Sequence, residues 1–129
     1  MSQQQTAYDR IGGETAVREL VDRFYDQMDQ REELKKLRDL HAKSLKMSRE
    51  KLFLFLSGWL GGPDLYVRKY GHPRLRARHL PFSIGIDERD QWMQCMQHAL
   101  SGMGLEEGLQ DELNQAFFRT ADFMRNRAE

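Results

Sequence analysis

In the first quarter of the chain, Val17, Leu20, Val21, Phe24 and Met28 recur at spacings of three and four. That period predicts an amphipathic helix from about Thr15 to Asp29, with Gly12-Gly13 setting its start. A short charged helix, about Glu32 to Arg38, follows, and Asp39 to Met47 has no clear period and reads as a turn-rich connection. Ser48 is the predicted N-cap of the next helix. Its stripe is Leu52, Phe55, Leu56 and Trp59, widened by Phe53 and Leu60, and Gly61-Gly62-Pro63 ends it. A looser stretch runs to Gly71, after which Pro73 suits the first position of a short helix carrying Leu75 and His79. Asp87, with Asp90 three residues on, predicts a helix start. Its stripe is Trp92, Cys95, Met96, Ala99, Leu100 and Met103, and Gly102 and Gly104 break it. A last helix, about Glu106 to Arg127, is predicted to bury Leu109, Leu113, Ala116, Phe117, Thr120 and Met124. No segment alternates with period two, so the expected class is all-α.

Length adds that this is one domain: 129 residues bury a proper core. Residues 1–7 read as a loose N-terminal extension. Charge narrows the function. Twenty basic residues balance twenty acidic ones, whereas a nucleic-acid-binding protein usually carries a basic excess or stripe. The lone Cys95 has no partner for an internal disulfide, which suits a reducing compartment. The apolar run Leu52–Leu56 is far short of the roughly 20 residues of a membrane span, and the first ten residues lack the apolar core of a secretion signal. The expectation is a cytoplasmic protein, monomer or homodimer.

The segment "GHPRLRARHLPF", Gly71 to Phe82, holds two of the four histidines and three arginines but no carboxylate. On spacing alone, His79 reads as a packed histidine at a helix C-terminus, where imidazolium meets the negative end of the dipole. His72 precedes a proline and reads as a turn residue. His98 reads as a surface or packing residue. A metal held by side chains alone needs three or four converging donors. One histidine suffices when a cofactor already holds the metal, as a porphyrin holds iron with four pyrrole nitrogens and leaves an axial position for imidazole. Haem then demands an apolar slot, which Leu52, Phe55, Leu75, Phe82 and Met96 can line. It also demands cations for its carboxylates, and Arg78 and Lys51 are placed to meet them. Taken singly, each of these residues reads first as ordinary core or solvated surface.

The runs "RFYDQM", "FLSGWLGGP", "YGHPRLRARHLPF" and "ERDQWMQCM" resemble, in this order and at these intervals, the motifs of the group II truncated haemoglobins. The similarity covers the chain from about Tyr8 to Met124. The resemblance implies a shortened globin, a two-on-two helical sandwich around haem b. Residue by residue, it implies His79 as the proximal iron ligand and Arg78 as a propionate partner. Tyr25 takes the place of the distal tyrosine and Trp92 that of the distal tryptophan. Ser48 falls where longer globins place the distal histidine, Leu52 is its partner one turn later, and Phe55 packs on the ring. In "LRDLHAKSL" the chain departs from the common pattern: His41 stands where many relatives have tyrosine, and Ala42 where they have proline.

The function implied is reversible binding of O2, CO or NO at ferrous iron. Tyr and Trp are hydrogen-bond donors, and a neutral His donates from one nitrogen. A hydrogen bond to a partly charged ligand contributes about 1–2 kcal/mol, or about tenfold to thirtyfold in release rate, so slow release is expected. An alternative is a redox enzyme at the same site, an NO dioxygenase or peroxidase-like protein. The chain has no GxGxxG fingerprint, so a separate reductase would supply its electrons. A third reading, a cofactor-free helical interaction module, has no need for Tyr25, His79 and Trp92 together.

Overall fold

The strongest predicted stripe becomes the longest helix, α2 (Gly13–Gln30), in which Val17, Leu20, Val21, Phe24 and Met28 are all buried, with Tyr25 beside them. The computed structural model describes residues 5–128, and every regular element among them is helical. Helix α1 (Ala7–Ile11) precedes α2, capped by the Thr6 hydroxyl, which accepts from the Asp9 amide. After α2 come a 3-10 turn (Glu32–Leu34), α3 (Lys35–Arg38), α4 (Lys46–Trp59) and α5 (Leu65–Tyr70). Helices α6 (Leu75–His79), α7 (Ile86–Ser101) and α8 (Glu107–Phe123) complete the chain.

Helix α2 packs on α4 and on α7, and α7 packs on α8, so two helices lie on two around one core. Phe24, Leu56, Met96, Leu100 and Phe117, one or more from each long helix, are fully buried at its centre. The "GGP" motif has a packing cause. The Tyr8 amide donates to the Leu60 carbonyl at 2.8 Å, and a Cβ on Gly62 would lie 2.6 Å from the Tyr8 ring. Gly61 has φ +98°, a conformation that side chains resist. No described helix is long and apolar enough to cross a membrane.

Three boundaries differ from the expectation, each for a local reason. Helix α4 begins at Lys46, with Leu45 as its N-cap, so Ser48 lies inside the first turn. Helix α7 is capped at Gly85, whose amide donates to Glu88 Oε1 at 2.8 Å. Asp87 is therefore a first-turn residue, bridged to Lys36 at 2.8 Å. Helix α8 stops at Phe123, not Arg127, because the following residues bond elsewhere. Helix α5 occupies the stretch expected to be loose; six residues are too few for a period to be visible.

Helix α4 carries two apolar faces. Phe53, Leu54, Leu56 and the Ser57 hydroxyl, which donates to the Phe53 carbonyl, make the buried one. Leu52, Phe55 and Trp59, expected in the core stripe, are only half-buried. That second face borders the candidate site.

Candidate functional site

His79 closes the five-residue helix α6, in which no residue is buried. The turn before it is tightly specified: Arg74 takes a left-handed φ of 47°, and its amide donates to His72 Nδ1 at 3.1 Å, so His72 is a turn residue as expected. Nδ1 of His79 contacts the Leu75 carbonyl, one turn back. A carbonyl only accepts, so Nδ1 carries the proton and Nε2 is left with a bare lone pair. This is the tautomer in which imidazole ligates a metal through Nε2 while its other nitrogen holds the ring in place.

The segment after His79 is held by the chain's other end. Asn126 Nδ2 donates to the carbonyls of His79 at 3.3 Å and Phe82 at 2.7 Å. Asn126 Oδ1 accepts from the Ile84 amide at 2.9 Å. Sequence reading did not single out Asn126, since its partners lie more than 40 positions away and its own surroundings carry no motif.

Facing residues come from the long helices. Tyr25 is 6% exposed, and burial raises its phenol pKa well above the ordinary value of 10, so it remains a proton donor. Phe24 bridges it to Trp92 on α7, with ring centroids 4.9 Å from Tyr25 and 5.1 Å from Trp92. Trp92 is half-buried, and Met96, one turn on, is fully buried. Behind Trp92, Phe117 lies 5.9 Å away and stacks on Trp59 at 4.7 Å. Cys95 on α7 is buried and inert, its thiol pushed up to about 12 by desolvation.

His41 lies 6.0 Å from Tyr25, ring to ring, and its Nδ1 contacts the Leu37 carbonyl at 2.9 Å. Burial first, and then the charges of Arg38 and His79, lower its pKa from 6.5 and favour neutral imidazole. Ser48 and Leu52 on α4 are half-buried. Tyr25, His41 and Trp92 thus belong to one aromatic cluster.

At the other end of α4, Phe55 meets Tyr66 edge-on at 6.3 Å, and Tyr66 contacts Tyr70 at 4.9 Å. Arg78 lies 5.7 Å from the Tyr66 ring and Lys51 5.7 Å from the Tyr70 ring. Both cations therefore gather at this tyrosine pair, and the Arg78 Nε donates to the Pro73 carbonyl at 2.6 Å. Phe82 stands apart: it is 41% exposed and makes no aromatic contact among the described residues. His98 is exposed on α7.

Apolar Leu52, Phe55 and Leu75 are incompletely buried by protein, which leaves apolar surface for a ligand to cover. No three His, Cys, Asp or Glu side chains converge on a metal site among the described residues. A bare imidazole nitrogen, apolar walls and two cations at one edge fit a flat apolar group that brings its own metal and carries carboxylates.

Comparison with known proteins gives this donor set its context. The model of the bacterial-like globin family matches residues 6–126. The group 2 truncated hemoglobin YjbI of Bacillus subtilis is 38% identical over 122 residues, covering 95% of this chain and 89% of that protein. Among solved structures, the cold-adapted truncated hemoglobin of the Antarctic bacterium Pseudoalteromonas haloplanktis superposes with a TM-score of 0.93 at 46% identity, over 95% of this chain and 99% of that one. The group II 2-on-2 hemoglobin of Agrobacterium tumefaciens gives 0.93 at 39% identity, over 97% of each chain. The chain belongs to the bacterial-like globins, in their group II truncated haemoglobin branch, and it is a haem globin with the two-on-two fold.

Proposed function

We propose that this globin holds haem b through His79 and reversibly binds O2 and other diatomic ligands, releasing them slowly. The observation that carries the reading is the His79 ring itself, fixed by the Leu75 carbonyl so that Nε2 alone is free to coordinate. When bound, haem supplies a ferrous centre with one open coordination position for a diatomic gas. The protein does the rest. Leu52, Phe55 and Leu75 exclude water around the ring, and Phe82 lies at its exposed margin. Met96, expected to line the slot, is instead fully enclosed by protein in the core and backs the site from behind. Arg78 and Lys51 attract the propionates, an interaction moderated by their exposure. Tyr25 keeps its proton because burial disfavours the phenolate, and the indole N–H of Trp92 can only donate. Both side chains therefore stabilise a ligand on which negative charge accumulates, and favour O2 over CO. Ser48 is small and Leu52 apolar, so neither hinders entry.

The test is spectroscopic. Purified holoprotein should show a Soret band that shifts on reduction and again on adding CO, and stopped-flow mixing should give O2 release slower than that of a storage globin. Protein that takes up no haem would overturn the reading.

A further inference from the structure

We propose that His41 is a second axial ligand of the haem iron: its Nε2 takes the sixth position in the ferric protein and competes for it in the ferrous protein, where an incoming diatomic ligand must displace it. This rests on the reading of His79 as the proximal ligand. The structure treats the two imidazoles alike. Each ends or follows a very short helix, α6 for His79 and the four-residue α3 for His41. Each ring is half-buried, and each Nδ1 lies on the carbonyl four residues earlier, Leu75 or Leu37.

The tautomer decides what His41 is able to do. With its proton on Nδ1 and given to Leu37, Nε2 has a lone pair and no hydrogen. His41 in this state cannot donate a hydrogen bond from Nε2 to a bound gas, which is the service Tyr25 and Trp92 offer. A bare, half-buried imidazole nitrogen is the form that ligates a metal. The remaining histidines do not compete: His72 already accepts the Arg74 amide, and His98 lies exposed on α7.

His41 also sits where displacement is feasible. The stretch from His41 to Leu45 lies outside any helix. Its hold on the fold includes the Arg38 guanidinium, which donates to the Ala42 and Lys43 carbonyls at 2.9 and 2.7 Å. In a short tethered loop the ring has only its contact with Tyr25 and its bond to Leu37 to rearrange as it moves onto the iron and off again. The consequence is a built-in competitor, which lowers apparent ligand affinity by the fraction of molecules in which it has let go.

The experiment compares ferric holoprotein of wild type with His41→Ala and His41→Gln, by absorption and electron paramagnetic resonance in mildly acidic buffer, where hydroxide does not replace water. Wild type should be six-coordinate and low-spin with the signature of two imidazoles. Both variants should be high-spin. After reduction and photolysis, the slow CO-rebinding phase that saturates with CO in wild type should vanish in both, raising the apparent on-rate by about tenfold or more, the change that a competitor bound about nine-tenths of the time imposes. Circular dichroism establishes that each variant is folded, and Gln serves if Ala is not. A high-spin wild type, or a low-spin spectrum that survives both substitutions, overturns the proposal while leaving haem binding intact. Failure of wild type to take up haem overturns the underlying reading instead.

Discussion

Tyr25 stands on an eighteen-residue helix with six buried positions, whereas His79 ends a five-residue helix with none. The distal side is an integral part of the core: Phe24 joins Tyr25 to Trp92 edge-on, and Phe117 backs Trp92. The His79 side is a thin strap, positioned by the Arg74 amide donating to His72 and by hydrogen bonds from Arg78 and Asn126 more than by apolar packing. Tyr25 and Trp92, proposed to discriminate among ligands, are thus fixed by the same packing that stabilises the fold. His79, proposed to hold the cofactor, is placed by local bonds. Sites with few buried contacts open more readily, so pigment loss should begin at the strap while the helices remain folded.

This contrast can be broken or sharpened by substitution, starting with the largest effect. His79→Ala should abolish the wild-type ferrous haem spectrum and with it stable haem retention, with little change in apoprotein helicity measured by circular dichroism. Phe24→Ala strikes the opposite wall. It should cost about 3–5 kcal/mol of folding stability by opening a cavity under both Tyr25 and Trp92, read from urea unfolding, and should blur ligand discrimination at the same time. If Phe24→Ala left stability untouched, the idea that the distal wall is core would fail. Tyr25→Phe removes a single oxygen and should speed O2 release about tenfold to thirtyfold, equivalent to about 1–2 kcal/mol, with CO release changed much less. Asn126→Ala frees the carbonyls of His79 and Phe82 and should hasten haem transfer to an acceptor globin several-fold, while the urea midpoint moves little. The smallest effect concerns Asp122, which Arg89 and Arg125 bridge at 2.7 and 3.1 Å. Hydrogen bonding to Arg89 holds its carboxyl below the ordinary 3.8. A depressed carboxylate stabilises the fold above that ordinary value and stops doing so as pH falls through its folded pKa. Asp122→Asn should therefore lower the melting temperature slightly at neutral pH and flatten its decline in acid.

Much of this architecture was visible in spacing alone. The stripes of α2, α4, α7 and α8 are long enough for the helical period to emerge, and most of their buried residues coincide with it. Helices α1 and α5 are too short to show a period, and their existence depends on Tyr8 and Tyr66 finding tertiary partners. The stripe of α4 illustrates a subtler limit. Leu52 and Phe55 are left half-buried while Trp59 stacks on Phe117, and hydrophobic periodicity does not separate a face left open from one that meets protein. Tyr25, Trp92 and His79 could be singled out as candidates because their motifs are contiguous. The tyrosine pair that gathers Arg78 and Lys51 was not, because Tyr66 and Tyr70 acquire that role only when α5 folds against α4. Asn126 was hidden for the same reason, its partners being set by the course of the chain after α8.

That course has a practical corollary. Because Asn126 fastens the segment that follows His79, the proposed iron ligand, it would serve the pigment's cradle although it lies outside every helix. A protease clip or an appended tag there would register first as bleaching, in a protein whose far-ultraviolet spectrum still looked native.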